Sequence, residues 1–193
     1  MDLLIKDSGL VCDIVVDSLT KVIGNEEGVR IYNTMIAGDE STKNLLHHLN
    51  EALVRAGYAT KIKNVFDRIT EGLSSRIDVK IFPDHIDLKP GASENVSVDI
   101  TNRFDVPLVF DVAVEDRDSF LPIVYNKIEG AYFNNFSMES IIDSGVPQKF
   151  RFKIGSENGQ KSKGTTLFVV IRSKEIEGLN WVGKLKVDFF TGD

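Results

Sequence analysis

The hydrophobic positions of this chain change their period near residue 77. Before that point apolar residues recur at spacings of three and four, the repeat of an α-helix. After it they alternate with polar residues, the repeat of a β-strand. In the first stretch Gly24, Gly38 and Gly57 mark helix ends. The spacing predicts a first helix over about 3–23, with Leu4, Val11, Ile14, Val15, Ser18, Leu19 and Val22 on one broad face. A second opens at Asn25 as its N-cap, with Glu26 and Glu27 in the first turn, where the helix dipole favours negative charge. Tyr32, Met35 and Ile36 form its apolar edge. A third starts near Ser41 and carries Leu45, Leu46, Leu49, Leu53 and Ala56. A fourth starts near Thr60, and its Ile62, Val65, Phe66, Ile69 and Leu73 make a clear amphipathic stripe.

The second stretch reads as seven to nine short strands, over 78–82, 85–88, 94–102, 107–115, 125–132, 136–142, 149–154, 165–172 and 181–189. Val96, Val98 and Ile100 share one face of their strand, as do Leu108, Phe110, Val112 and Val114 of the next. Residues 165–172 are apolar on both faces, as a central strand would be. Short alternating strands with frequent turns are the pattern of an antiparallel β-sandwich. The expected fold is therefore α+β in two domains: a small N-terminal helical bundle over 1–76, then a β-sandwich over 78–193. The junction at Ser74-Ser75-Arg76 is short, so the two parts are expected to pack rather than swing. A bundle of this length buries little core alone. Its helices are expected to gain burial against the second half or against another copy of the chain.

One stretch carries a resemblance. Ile86-Asp87-Leu88-Lys89-Pro90-Gly91-Ala92-Ser93 leads into Val96-Ser97-Val98-Asp99-Ile100-Thr101-Asn102. It resembles the opening of immunoglobulin-like modules of bacterial and archaeal proteins, including adhesion-related, CARDB-like modules. Phe150-Arg151-Phe152-Lys153-Ile154 also fits a middle strand of such modules. The resemblance spans about 78–193; the helical part resembles no family. It implies an immunoglobulin-like sandwich acting as spacer, adhesive unit or docking platform. The cysteine pair and partnering tryptophan of antibody domains are absent. Physically, Pro90 fixes φ, Gly91 tolerates positive φ in a tight turn, and Asn102 can bond nearby backbone where its strand ends.

Composition narrows the function classes. The net charge of −6 argues against nucleic acid as a partner, because phosphate binding needs a basic surface. A single cysteine, Cys12, allows no internal disulfide, and a reducing, cytoplasmic setting is expected. Cys12 sits among Val, Ile and Leu with acidic titratable neighbours, so it reads as a buried structural residue. No apolar run approaches the ~18 residues of a membrane span. Met1-Asp2 lacks the basic start of a signal peptide.

No catalytic, cofactor-binding or metal-binding set is complete in the sequence, so no cofactor is expected. His47 and His48 are adjacent and point in different directions; His47 can share a helix face with Glu51. In Asp84-His85-Ile86-Asp87, alternation puts His85 and Asp87 on one side and Asp84 on the other, leaving a solvated edge. Glu115-Asp116-Arg117-Asp118 gathers carboxylates that can hold calcium at a sandwich end, but Arg117 stands among them and the spaced calcium loop is missing. Residues 155–164 form a polar hairpin loop without phosphate-loop spacing; its Lys161 and Lys163 suit an acidic partner. Asn95-Val96-Ser97 and Asn135-Phe136-Ser137 match the glycosylation sequon, which at this length does not establish secretion.

Tyr125, Tyr132, Phe133, Asn134 and Phe136 are the candidate interaction surface, because Tyr with Asn suits adaptable recognition; the same aromatics also suit a core. The chain is accordingly expected to be a non-enzymatic interaction or scaffold protein. Its sandwich would dock an unidentified protein, and its N-terminal helices would mediate self-association, for example as a homodimer. The alternative is a small-ligand sensor or carrier with a pocket in the bundle or between domains, drawing on polar groups such as Tyr32, His47 or Tyr58. An enzyme would need two acids converging in a cleft.

Overall fold

The computed structural model describes residues 5–38, 44–116, 123–126, 131–133, 136–155, 165–176 and 178–189. Four α-helices come first: α1 (Gly9–Ile23), α2 (Asn25–Ile36), α3 (Leu45–Arg55) and α4 (Ile62–Ser74). Short 3-10 turns at Ile5–Asp7 and Ala59–Lys61 precede α1 and α4. α1 begins where Ser8 caps it, the hydroxyl accepting the Val11 N–H at 3.2 Å. α2 departs from the sequence expectation. Gly24, at φ 120°, holds the cap position, and Asn25 is already helical. One residue joins the two helices there, and the positive φ suits only glycine. Glu26 and Glu27 do lie in the first turn, and Glu27 pairs with Arg30. The expected start of α3 near Ser41 lies outside the described residues.

The apolar stripes meet inside the bundle. Val11, Val15 and Leu19 of α1, Ile31 and Met35 of α2, Leu45, Leu49 and Leu53 of α3, and Val65, Ile69 and Leu73 of α4 are all buried. Each such side chain contributes roughly 1.5–3 kcal/mol by leaving water. α1 packs against α2 and α4, and α3 against the same two helices.

α4 runs almost directly into β1 (Ile77–Phe82). β2 (His85–Leu88), β3 (Ser93–Asn102), β4 (Leu108–Asp116), β5 (Ile123–Asn126), β6 (Ala131–Phe133), β7 (Phe136–Ile142), β8 (Pro147–Gly155), β9 (Thr165–Ser173) and β10 (Asn180–Phe189) follow. The expected single strand over 125–132 is two strands, β5 and β6, paired antiparallel with Tyr125 opposite Tyr132. One sheet has the order β1-β3-β8-β5-β6 and the other β2-β10-β9-β4-β7. β9 is the middle strand of the second sheet. Leu167, Val169 and Ile171 are buried on one of its faces and Val170 on the other, as its two-sided apolar sequence predicts. Named strands pair antiparallel throughout except β2 with β10, which run parallel. The chain changes sheets between β1 and β2, through a cis Phe82–Pro83 peptide.

One contiguous cluster of buried side chains extends from Val11 in α1 to Val187 in β10. Polar contacts also cross from helices to sandwich. The Ser8 hydroxyl donates to Asp105 at 2.6 Å, the Leu10 N–H donates to the other carboxylate oxygen at 3.2 Å, and the Arg103 N–H donates to the Arg76 carbonyl at 2.8 Å. Asn102 is fully buried at the end of β3. Its Nδ2 donates to the carbonyls of Val106 and Ile142 at 2.9 Å each, and its Oδ1 accepts the Phe104 N–H at 2.9 Å. This is the backbone-bonding role its position in the sequence suggests.

Candidate functional site

The side chains of the aromatic surface expected from the sequence lie outside the described residues. Tyr125 lies on β5, Tyr132 and Phe133 on β6, and Phe136 at the start of β7; Asn134 lies outside the described residues. Residues 156–164, with Lys161 and Lys163, lie outside them too, as do Arg117 and Asp118. Glu115 accepts a 2.6 Å bond from Arg172, whose other guanidinium nitrogen is 3.8 Å from Asp111.

The outer face of the second sheet offers more. On β4 the core side is Leu108, Phe110, Val112 and Val114, so Val109, Asp111, Ala113 and Glu115 turn outward. The register sets Ala113 beside Val170, and Val170 beside Val182, in an apolar row across β4, β9 and β10 in which Ala113 and Val170 are themselves buried. Val182 is 49% exposed. Val109 is opposite Ile141, which is 63% exposed on β7, the outermost strand of that sheet. The outer backbone edge of β7 has no strand partner among the described residues. Such an edge is a ready template for another chain. The helices carry exposed apolar residues as well, Val29 on α2 and Val54 on α3, the latter 51% exposed.

A cavity of about 260 Å³ opens between α2 and α3, lined by Arg30, Ile31, Met35, His48, Glu51 and Arg55 among others. Arg30 is held by Glu27, whose carboxyl its hydrogen bond keeps below the usual range, and Arg55 is held by Glu51 at 2.6 Å. The lining is thus mixed rather than strongly cationic. The three polar residues proposed for such a pocket are placed elsewhere. Tyr32 is buried, and burial together with a hydrogen bond to Cys12 pushes its phenol well above the ordinary value. His47 lies on the exposed side of α3, 3.6 Å from Glu51. Tyr58 packs against the core. Cys12, expected to be buried, is half-buried and packs against the same core.

A third grouping joins distant parts of the chain. His85 and Asp87 project from the solvent side of β2, while Ile86 and Leu88 enter the core. Parallel pairing sets Lys186 opposite His85 and Asp188 opposite Asp87. His85 Nε2 is 2.8 Å from Asp188 Oδ2 and 3.5 Å from Asp87 Oδ1. Strand alternation alone gives His85 a single nearby acid, Asp87. The second acid comes from 103 residues further along, where no local spacing announces it.

No helix among the described residues is long and apolar enough to cross a membrane. No family model matches the chain, and no curated protein does either. Among solved structures it is similar to the Escherichia coli alpha-2-macroglobulin segment from domain MG7 to the C-terminus, at 13% identity and TM-score 0.43, over 60% of this chain and 16% of that one. It is also similar to a human seminal-plasma complex of zinc 2-glycoprotein with prolactin inducible protein, at 10% identity and TM-score 0.42, over 59% of this chain and 93% of that one. A third is the ASH/PapD-like domain of human CEP192, at 10% identity and TM-score 0.39, over 63% of this chain and 88% of that one.

Proposed function

We propose that this chain is a non-enzymatic protein-interaction or scaffold protein, with an immunoglobulin-like sandwich over 78–193 as its docking module and a helical unit over 1–76 for self-association. The observation that carries the reading is Ile141, 63% exposed on β7, whose outer edge has no strand partner among the described residues. An exposed branched aliphatic on an edge strand suits a partner that adds a strand. The resemblance of residues 86–102 to adhesion-related modules supports the same role. Val29 and Val54 support an association surface on the helices.

A photo-crosslinking amino acid at position 141 of the whole chain tests the docking half. The reading expects one dominant adduct that is absent when the probe sits at Lys63 on α4. Equal labelling from both positions rejects it. Light scattering over a concentration series tests the helical half. The expected result is a dimer that Val54→Glu converts to monomer; a monomer at every concentration rejects self-association.

The cavity between α2 and α3 favours a second reading, a carrier or sensor of a small amphipathic ligand. Its volume is near the lower end of ligand pockets. A thermal-shift screen of small molecules tests it. Hits must lose their effect when Ala52→Leu fills the space, and a screen without such hits removes this reading.

A further inference from the structure

We propose that His85, Asp87 and Asp188 bind a transition-metal dication, with zinc the best match to the donor set. One imidazole nitrogen and two carboxylate oxygens lie within 4.8 Å of one another. They are placed by strand register rather than by a loop. Alternation along β2 sends His85 and Asp87 to solvent, and Asp188 alternates with the buried Val187 of β10. Zinc bonds of about 2.0–2.2 Å need donors about 3–3.6 Å apart. The His85–Asp87 distance of 3.5 Å already meets that, and the 2.8 Å contact to Asp188 needs only a small side-chain rotation.

The chemistry narrows the ion. Calcium and magnesium prefer all-oxygen shells, so the imidazole favours zinc and its neighbours in the transition series. The set holds no thiolate, which sets it apart from soft-metal sites. Three protein ligands leave further positions to water, and all three side chains are exposed. Lys186 stands opposite His85 on the same face and brings one positive charge against two carboxylates, which moderates affinity without cancelling the attraction.

The placement also gives the ion a consequence. Among the described residues β2 is a four-residue edge strand, bonded within its sheet to β10 alone. Two ligands stand on β2 and the third on β10, so a bound ion staples the edge strand to the sheet. Metal binding is then linked to sandwich stability. The site lies at the opposite edge of the sheet from β7 and stands independently of the docking proposal.

The test is calorimetric titration of the full chain, stripped with chelator, with zinc chloride. The expected result is one saturable equivalent, weakened at least about tenfold in His85→Ala and in Asp188→Asn. It is retained in His47→Ala, which removes the His47–Glu51 pair on α3 as a competing site. Zinc should raise the melting temperature of the unmodified chain and not that of His85→Ala, and excess magnesium should not displace it. Cobalt-induced broadening in the amide NMR spectrum locates the ion without any substitution, and is expected to centre on residues 85–88 and 186–188. Absence of saturable zinc binding overturns the proposal. So does binding unchanged in both variants, or broadening centred on α3.

Discussion

The hydroxyl of Ser8 and the carboxylate of Asp105, 97 residues apart, are joined by a 2.6 Å hydrogen bond. That bond fastens the first turn of α1 to the turn after β3. Ser8 also caps the helix through Val11, and Asp105 also accepts the Leu10 N–H, so the acid sits at the positive end of the helix dipole. Ser8→Ala is expected to cost about 1–2 kcal/mol in denaturant unfolding.

The same contact has a pH signature. Burial works against the charged form of Asp105, but bonds from the Ser8 hydroxyl and from the backbone of Leu10 and Gly9 outweigh it and lower its pKa. A carboxyl with a lower pKa folded than unfolded stabilises the fold above its unfolded value, about 3.9 for Asp. That contribution disappears as pH falls through the folded value. In Asp105→Asn, stability measured from pH 6 to pH 2 should fall less steeply at the acid end than in the unmodified chain. An unchanged slope would refute the assignment.

Asn102 offers a sharper substitution. Truncating its side chain to a methyl removes this partner from the buried Ile142 carbonyl and Phe104 N–H and from the part-buried Val106 carbonyl. Each unsatisfied buried group costs about 1–3 kcal/mol. Asn102→Ala should therefore lower unfolding free energy by roughly 3 kcal/mol or more. Asn102→Asp should be worse, because it turns a double donor into an acceptor facing two acceptors. Urea titration of both variants checks the order.

Two helical glycines should respond to different degrees to the same added methyl. At Gly28 a Cβ would sit 2.8 Å from the Thr20 nitrogen and 2.9 Å from the Leu19 carbonyl carbon, both backbone atoms of α1. Gly28→Ala must push α1 and α2 apart, at a cost of about 1–3 kcal/mol. At Gly72 the Cβ would meet the Ile14 Cγ2 methyl at 2.8 Å, a side-chain contact that must shift although no backbone stands in the way. There the roughly 1 kcal/mol helix-propensity gain of alanine partly offsets the crowding, and the loss of stability should be smaller than at Gly28. Comparative thermal melts decide it.

The only tryptophan reports on a third glycine. A Cβ at Gly183 would meet the Trp181 ring at 2.2 Å and Ile81 at 2.6 Å, where β10 approaches β1 of the other sheet. Gly183→Ala should displace the ring toward water. The expected readout is a red-shifted fluorescence maximum together with reduced stability. An unmoved maximum would show that the ring does not lie across the glycine.

What the sequence determined by itself is what depends on neighbours along the chain. The period of Val65, Ile69 and Leu73 makes a helix stripe whatever it packs on, and those residues are buried in α4. The alternation of Val96, Val98 and Ile100 makes one buried face of β3, and the two-sided apolar run of β9 marks a central strand. Turn chemistry was legible at Pro90-Gly91, where Gly91 has φ 72°.

Tertiary structure alone decided which strand lies beside which. The parallel pairing of β2 with β10, which brings Asp188 to His85, follows from the chain crossing between sheets after β1. Ile141 lies at a sheet edge because β7 is the outermost of the described strands, a property of sheet order and not of its seven residues. The anchor of Asn102 on Ile142 spans 40 residues, and that of Ser8 on Asp105 spans 97. Periodicity records which face of an element is buried but carries no label for the element that buries it. Strand partners are chosen by the summed packing of the whole core, so every site assembled across strands waits for the fold.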